Sequence, residues 1–142
     1  MIVTVTLNPA LDITHTVASL VPHSSHRVSD VGAQAGGKGI NVARVLHTLG
    51  LPTVAVAFRG GLAGAAIAAD LDSHGIAHRL VGIAGENRRT FTVVDVGSGD
   101  ATVFNEAGPA VSGASGTRSA SRCTGCFPTR RVLVLSGSLP PG

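Results

Sequence analysis

The sequence predicts an α/β fold, a parallel sheet with helical crossovers and a small second β-sheet beside it, on three observations. β-Branched runs at Ile2 to Leu7 and Thr53 to Phe58 alternate with two segments of helical length. Glycine and proline punctuate almost every junction between them. Two further stretches alternate polar and apolar residues in the manner of antiparallel hairpins. The 142 residues are 44% hydrophobic and 13% charged, which suits one packed domain and argues against disorder. Aromatic residues make up only 3%, so the core has to be built from Val, Leu, Ile and Ala.

Ile2 to Leu7 is a strand that ends at the turn signal Asn8-Pro9. Asp12 is thereby expected just beyond the strand's carboxyl end, where α/β sheets bind ligands. Ile13 to Val17 and Arg27 to Val31 are expected to pair as a hairpin. A helix is expected after Lys38, because Val42, Val45, Leu46 and Leu49 fall at i, i+3, i+4 and i+7 and form an apolar face, with Gly50 and Pro52 as the stop. Thr53 to Phe58, a helix over Leu62 to Ser73 that stops at Gly75, and a strand near His78 to Ile83 continue the alternation. Thr90 to Val96 and Ala101 to Asn105 form a second hairpin through Gly97-Ser98-Gly99-Asp100. Together the hairpins, about residues 12–34 and 88–106, form a small β-sheet lid able to exclude water from a transfer reaction. Residues 112–131 have no periodicity and are expected to be irregular. Val132 to Leu135 restores a buried-strand pattern.

Gly36-Gly37-Lys38-Gly39-Ile40-Asn41 is the strongest chemical signal. Glycines let the main chain approach a ligand, the first N–H groups of the helix lack internal partners, and the helix dipole presents its positive end there. Lys38, the only lysine, adds a mobile cation, and Asn41 lies in the first turn. These features predict a phosphate cradle, against the plainer reading of a glycine turn with a solvated lysine. Gly32 to Lys38 also satisfies G-x-x-x-x-G-K, but Gly39 stands where a nucleotide P-loop needs a magnesium-binding hydroxyl.

The net charge of +3 and pI near 9.7 raise the question of nucleic acid. The basic residues are scattered, and no Trp or Tyr offers a stacking platform, so no nucleic-acid partner is expected. The amino terminus lacks the pattern of a signal peptide and no apolar run is of membrane-spanning length, so the expectation is a cytoplasmic protein without membrane contact. Cys123 and Cys126 have C-x-x-C spacing, yet a zinc site would need two more ligands and the histidines all lie far upstream; incidental thiols are expected.

Four motifs in order, Thr6-Leu7-Asn8-Pro9-Ala10-Leu11-Asp12, Gly36 to Asn41, Asn105-Glu106-Ala107-Gly108-Pro109 and Leu135-Ser136-Gly137-Ser138-Leu139-Pro140-Pro141-Gly142, resemble the PfkB family of carbohydrate kinases, and within it the 1-phosphofructokinases. The resemblance implies a ribokinase-like fold, ATP with Mg2+ as phosphoryl donor in the complete enzyme, a sugar-phosphate substrate and a homodimer through the lid. It implies that Asp12 accepts hydrogen bonds from sugar hydroxyls, that Gly36, Gly37 and Asn41 contact the sugar, that Lys38 meets a phosphate, that Arg88 reaches from the lid to the substrate phosphate, and that Ser138 offers a hydroxyl. Arg88 is favoured over Arg89, its neighbour on the opposite side of the strand.

The family's catalytic aspartate lies in a Gly-Ala-Gly-Asp motif at a helix start. Gly97-Ser98-Gly99-Asp100 mimics it, but the strand pattern that follows marks a hairpin turn. The chain is therefore expected to be a truncated, amino-terminal part of a PfkB kinase domain, inactive alone, poorly soluble, with no catalytic residue of its own and no tightly bound cofactor. The family reaction would convert fructose 1-phosphate to fructose 1,6-bisphosphate; tagatose 6-phosphate phosphorylation is the enzymatic alternative, and a non-catalytic sugar-phosphate-binding or dimerising remnant the alternative of another class. Residues 113–130, where relatives carry an amphipathic helix, suggest a shifted reading frame or a decayed gene, which resequencing would test.

Overall fold

The computed structural model describes residues 1–111 and 132–141. The irregular segment expected over 112–131, with the cysteine pair, lies outside the described residues.

The main sheet contains β1 (Ile2–Thr6), β4 (Thr53–Arg59), β5 (His78–Gly82) and β8 (Val132–Leu135), all parallel, in the order β5-β4-β1-β8. The two crossover helices are α1 (Lys38–Thr48) and α2 (Gly61–Ser73). Small residues make this layering close. Thr4 and Thr6 of β1 stand beside Ala55 and Ala57 of β4, and the alanines join Ile40, Ala43, Ile67, Leu71 and Ile76 in one buried cluster between sheet and helices. Val3, Val5 and Val56, whose side chains alternate to the other face, form a second.

The second sheet contains β2 (Ala10–Val17), β3 (Asp30–Gly36), β6 (Arg88–Asp95) and β7 (Ala101–Asn105), in the order β3-β2-β6-β7. Both outer pairs are antiparallel, but the central pair, β2 with β6, is parallel and joins the two hairpins into one sheet. The residues 97–100 form the turn between β6 and β7, with Gly99 at φ 77°.

Three expectations need correction. The first hairpin pairs residues 10–17 with 30–36 and not 13–17 with 27–31. Its second arm contains Gly32, Ala33, Ala35 and Gly36, residues with little intrinsic strand preference, so the sequence hid it. Asp12 accordingly lies within β2, opposite Gln34 and Thr90, and not in a turn after β1.

The third correction concerns α1. Its buried residues are Gly39, Ile40 and Ala43, whereas Val45 is 59% and Leu49 67% exposed. The stripe of Val42, Val45, Leu46 and Leu49 points away from the sheet. Steric fit decided this: a Cβ on Gly39 would collide with Thr6 Oγ1 and lie 2.7 Å from the Val5 carbonyl oxygen, so only a small-residue face lets α1 lie this close to β1.

Candidate sugar-phosphate site

The predicted residues come from four segments that meet near Asn8, the residue that follows Leu7 after β1. Register places Arg88 beside Ala10, Asp12 beside Thr90, and Thr90 beside Asn105, so Asp12, Arg88, Thr90 and Asn105 share one polar face of the second sheet. The opposite face carries Ile13, His15, Val31, Phe91, Val93 and Phe104, with Val31 58% and Phe104 59% exposed.

Arg88 is held at three points: Nε donates to the Asn8 carbonyl at 3.2 Å, and Nη1 reaches Thr90 Oγ1 at 3.3 Å and Asn105 Oδ1 at 3.5 Å. No carboxylate among the described residues pairs with it. Arg89, by contrast, is bonded to Glu86 at 3.2 Å, and Glu86 caps α2 through the N–H groups of Leu62 and Ala63. The two neighbouring arginines therefore have different surroundings, one turned to the polar face and one to a helix start.

Asp12 is half-buried and receives no hydrogen bond among the described residues. Its carboxylate occupies the space directly over Gly36, where any Cβ would overlap it. Gly37, at φ 107°, opens α1 without a side-chain cap, and no acidic residue lies in the first turn. At the glycines that were expected to admit a ligand, the structure places protein groups: Asp12 over Gly36, and Thr6 against Gly37 and Gly39.

Lys38 is exposed at the start of α1 and lines a cleft of about 450 Å³ together with Leu135, Ser136, Gly137, Ser138 and Leu139. Ser138 accepts a hydrogen bond from Asn8 Nδ2 at 3.2 Å. Asn41 lies one turn further along α1, exposed, beside a shallow apolar groove with Val42, Val45 and Leu46. The structure thus gathers Arg88, Ser138, Gly37 and Asp12 around one junction, with Lys38 on the adjoining cleft and Asn41 at its outer side. Sequence reasoning gave Asn8 no part in the site, having used it as a turn signal and as one position of a family motif.

The family described as pfkB family carbohydrate kinase matches residues 5–142. The chain belongs to that family. This pfkB chain is 33% identical to a protein named as a possible 1-phosphofructokinase from Thermotoga maritima, with a TM-score of 0.92 over 100% of this chain and 46% of the other. Phosphofructokinase-2 from Escherichia coli, solved in complex with fructose-6-phosphate and as a tetrameric inhibited form, is 29% identical with a TM-score of 0.92, over 99% of this chain and 46% of its own. The pfkB chain spans just under half the length of these relatives. Its four-stranded parallel sheet, crossover helices and second small sheet are the ribokinase-like arrangement. No described helix is long and apolar enough to cross a membrane.

Proposed function

We propose that this chain forms the sugar-phosphate-binding part of a kinase that phosphorylates a hexose phosphate, with fructose 1-phosphate as the substrate and fructose 1,6-bisphosphate as the product of the complete enzyme. The observation that carries the reading is the polar lid face, where the Asp12 carboxylate and the Arg88 guanidinium have no ionic partner among the described residues. A carboxylate without donors is free to accept sugar hydroxyls. A guanidinium with Nε and Nη1 fixed and Nη2 unspent is a preformed phosphate clamp. Lys38, at an uncapped helix start, adds a second cation at the adjoining cleft, so the phosphate meets positive charge from the lid and from α1. Gly36, Gly37, Asn41 and Ser138 supply main-chain and hydroxyl contacts in this reading.

ATP and Mg2+ belong to the complete enzyme in this proposal. The described residues do not fit a nucleotide and metal site: Gly39 replaces the hydroxyl of a P-loop, and no cluster of three or more His, Cys, Asp or Glu that could hold a metal occurs among the described residues. No phosphoryl-transfer step is derived from them, and this chain is proposed to bind its sugar phosphate without turning it over. A second reading, a dimerising remnant, is favoured by the apolar patch of the lid around Ile13, Phe91 and Phe104, which a second copy would cover.

Calorimetric titration with fructose 1-phosphate, tagatose 6-phosphate and unphosphorylated fructose tests the proposal. Binding confined to the phosphorylated sugars, weakened at least tenfold by Arg88→Ala, is expected. Equal affinity for fructose and its phosphates would sink it, and ATP-dependent turnover by this chain would refute the absence of catalysis.

A further inference from the structure

We propose that Asn8 is a positioning residue for this site, fixing where Arg88 and Ser138 stand relative to each other; the inference rests on the sugar-phosphate reading above. An asparagine in a turn ordinarily bonds main chain about two residues away. Asn8 does something else. Its Nδ2 group donates to the Ala107 carbonyl at 2.9 Å and to Ser138 Oγ at 3.2 Å, partners 99 and 130 positions along the chain. Its own carbonyl accepts from Arg88 Nε. One residue, 5% exposed, therefore ties the end of β1 to the lid arginine, to the segment after β7 and to the segment after β8.

The geometry is also costly to maintain, which argues against a role in stability alone. Asn8 Oδ1 is buried without a hydrogen-bond partner among the described residues. Gly108, at φ 98°, lies against that oxygen so closely that any Cβ would overlap it. An unpaired buried acceptor persists only where the surroundings over-determine it. What the arrangement secures is the distance between a guanidinium on the lid and a hydroxyl beside the main sheet, and a displacement of about 1 Å in such a clamp is enough to lose most of its effect. Without the Asn8 amide, the segments carrying Ala107 and Ser138 lose their common anchor, and the main-chain carbonyl that holds Arg88 is no longer tied to either of them.

The test is calorimetry of the 142-residue chain with fructose 1-phosphate for the parent, Asn8→Ala, Asn8→Leu, Arg88→Ala and the Asn8→Ala/Arg88→Ala pair, with a thermal melt of each. Asn8→Leu keeps the side-chain shape without charge and removes the donor together with the unpaired acceptor, so it reports even where the alanine variant fails to fold. The expected result is an affinity loss of about tenfold or more in Asn8→Leu and in folded Asn8→Ala, and a double variant no weaker than Arg88→Ala within about twofold, since Asn8 acts through the placement of Arg88. Parent-like affinity in either Asn8 variant, with only a lowered melt, overturns the inference and leaves Asn8 structural. Additive losses in the double variant overturn it as well. A parent chain that does not bind fructose 1-phosphate removes the sugar-phosphate reading and this inference together, an outcome visible in the first titration.

Discussion

Asp70 on α2 receives the guanidinium of Arg44 on α1 at 2.9 Å, and the same carboxylate oxygen accepts the main-chain N–H of Ala35 at 2.9 Å. Arg44 also donates to the Ala35 carbonyl at 3.0 Å, so one ion pair fastens both helices to the strand that delivers Gly36 and Lys38 to the site. The pair is mostly buried, with side-chain exposures of 24% and 13%. Removing one partner leaves the other charge and a strand amide without compensation. Asp70→Ala is expected to lower stability by about 2–4 kcal/mol, read as a shift of the urea midpoint at constant slope. A change below about 0.5 kcal/mol would mean the pair is solvated in solution.

The glycines of the α1 start separate packing from binding. Gly39→Ala drives a Cβ into Thr6 and the Val5 carbonyl, both held by the sheet, and is expected to cost about 1–3 kcal/mol by urea denaturation. Gly36→Ala instead meets the end of the Asp12 side chain, which can swing away. Its main effect is expected on sugar-phosphate affinity, with a smaller stability loss; unchanged calorimetric affinity would show that Asp12 does not need its place over Gly36.

The outward stripe of α1 gives a contrasting pair. Ile40→Ala empties a fully buried position and is expected to cost about 2–5 kcal/mol. Val45→Lys, at a 59% exposed position, is expected to change stability by less than about 0.5 kcal/mol. Chemical denaturation of both variants checks the orientation of the helix, and the reverse ranking would restore the face that periodicity suggested.

Asp95 ties the lid's far end through its carboxylate, which accepts the N–H of Leu20 at 2.8 Å and of Ser98 at 3.1 Å. These bonds, Leu20 first, hold its pKa below the ordinary aspartate value. A depressed folded pKa contributes stability that is present above the unfolded value and is lost as pH falls through the folded one. Protection of the Leu20 amide against hydrogen exchange, relative to its intrinsic rate at each pH, is therefore expected to be present at neutral pH and to fall below about pH 4. In Asp95→Asn that acid-dependent step should disappear; its persistence would assign the step to another group.

Much of the fold was legible because its signals are local. β-Branched runs marked β1 and β4, an apolar run marked β8, though Val132, Leu133 and Leu135 are exposed where a buried strand was expected, and Gly50 and Gly75, at φ 71° and 65°, marked where the helices end. β3 was not legible, since Gly32, Ala33, Ala35 and Gly36 carry no strand signature and pair only because β2 lies beside them. The candidate site was legible as residue types, an isolated lysine after two glycines and an arginine pair ahead of a strand. It was not legible as an arrangement, and Asn8 shows why: its partners, Ala107 and Ser138, are about a hundred residues or more away.

By itself the sequence determined the order of strands and helices apart from the first hairpin, the glycine-rich start of α1 and the family to which its motifs belong, because each depends on residues close together in the chain. Tertiary structure alone decided which face of α1 is buried, that the two hairpins join through parallel β2 and β6, and that Asn8, Arg88 and Ser138 meet. Those outcomes depend on how closely backbones can approach and on hydrogen bonds between distant segments, which no short stretch of residues encodes.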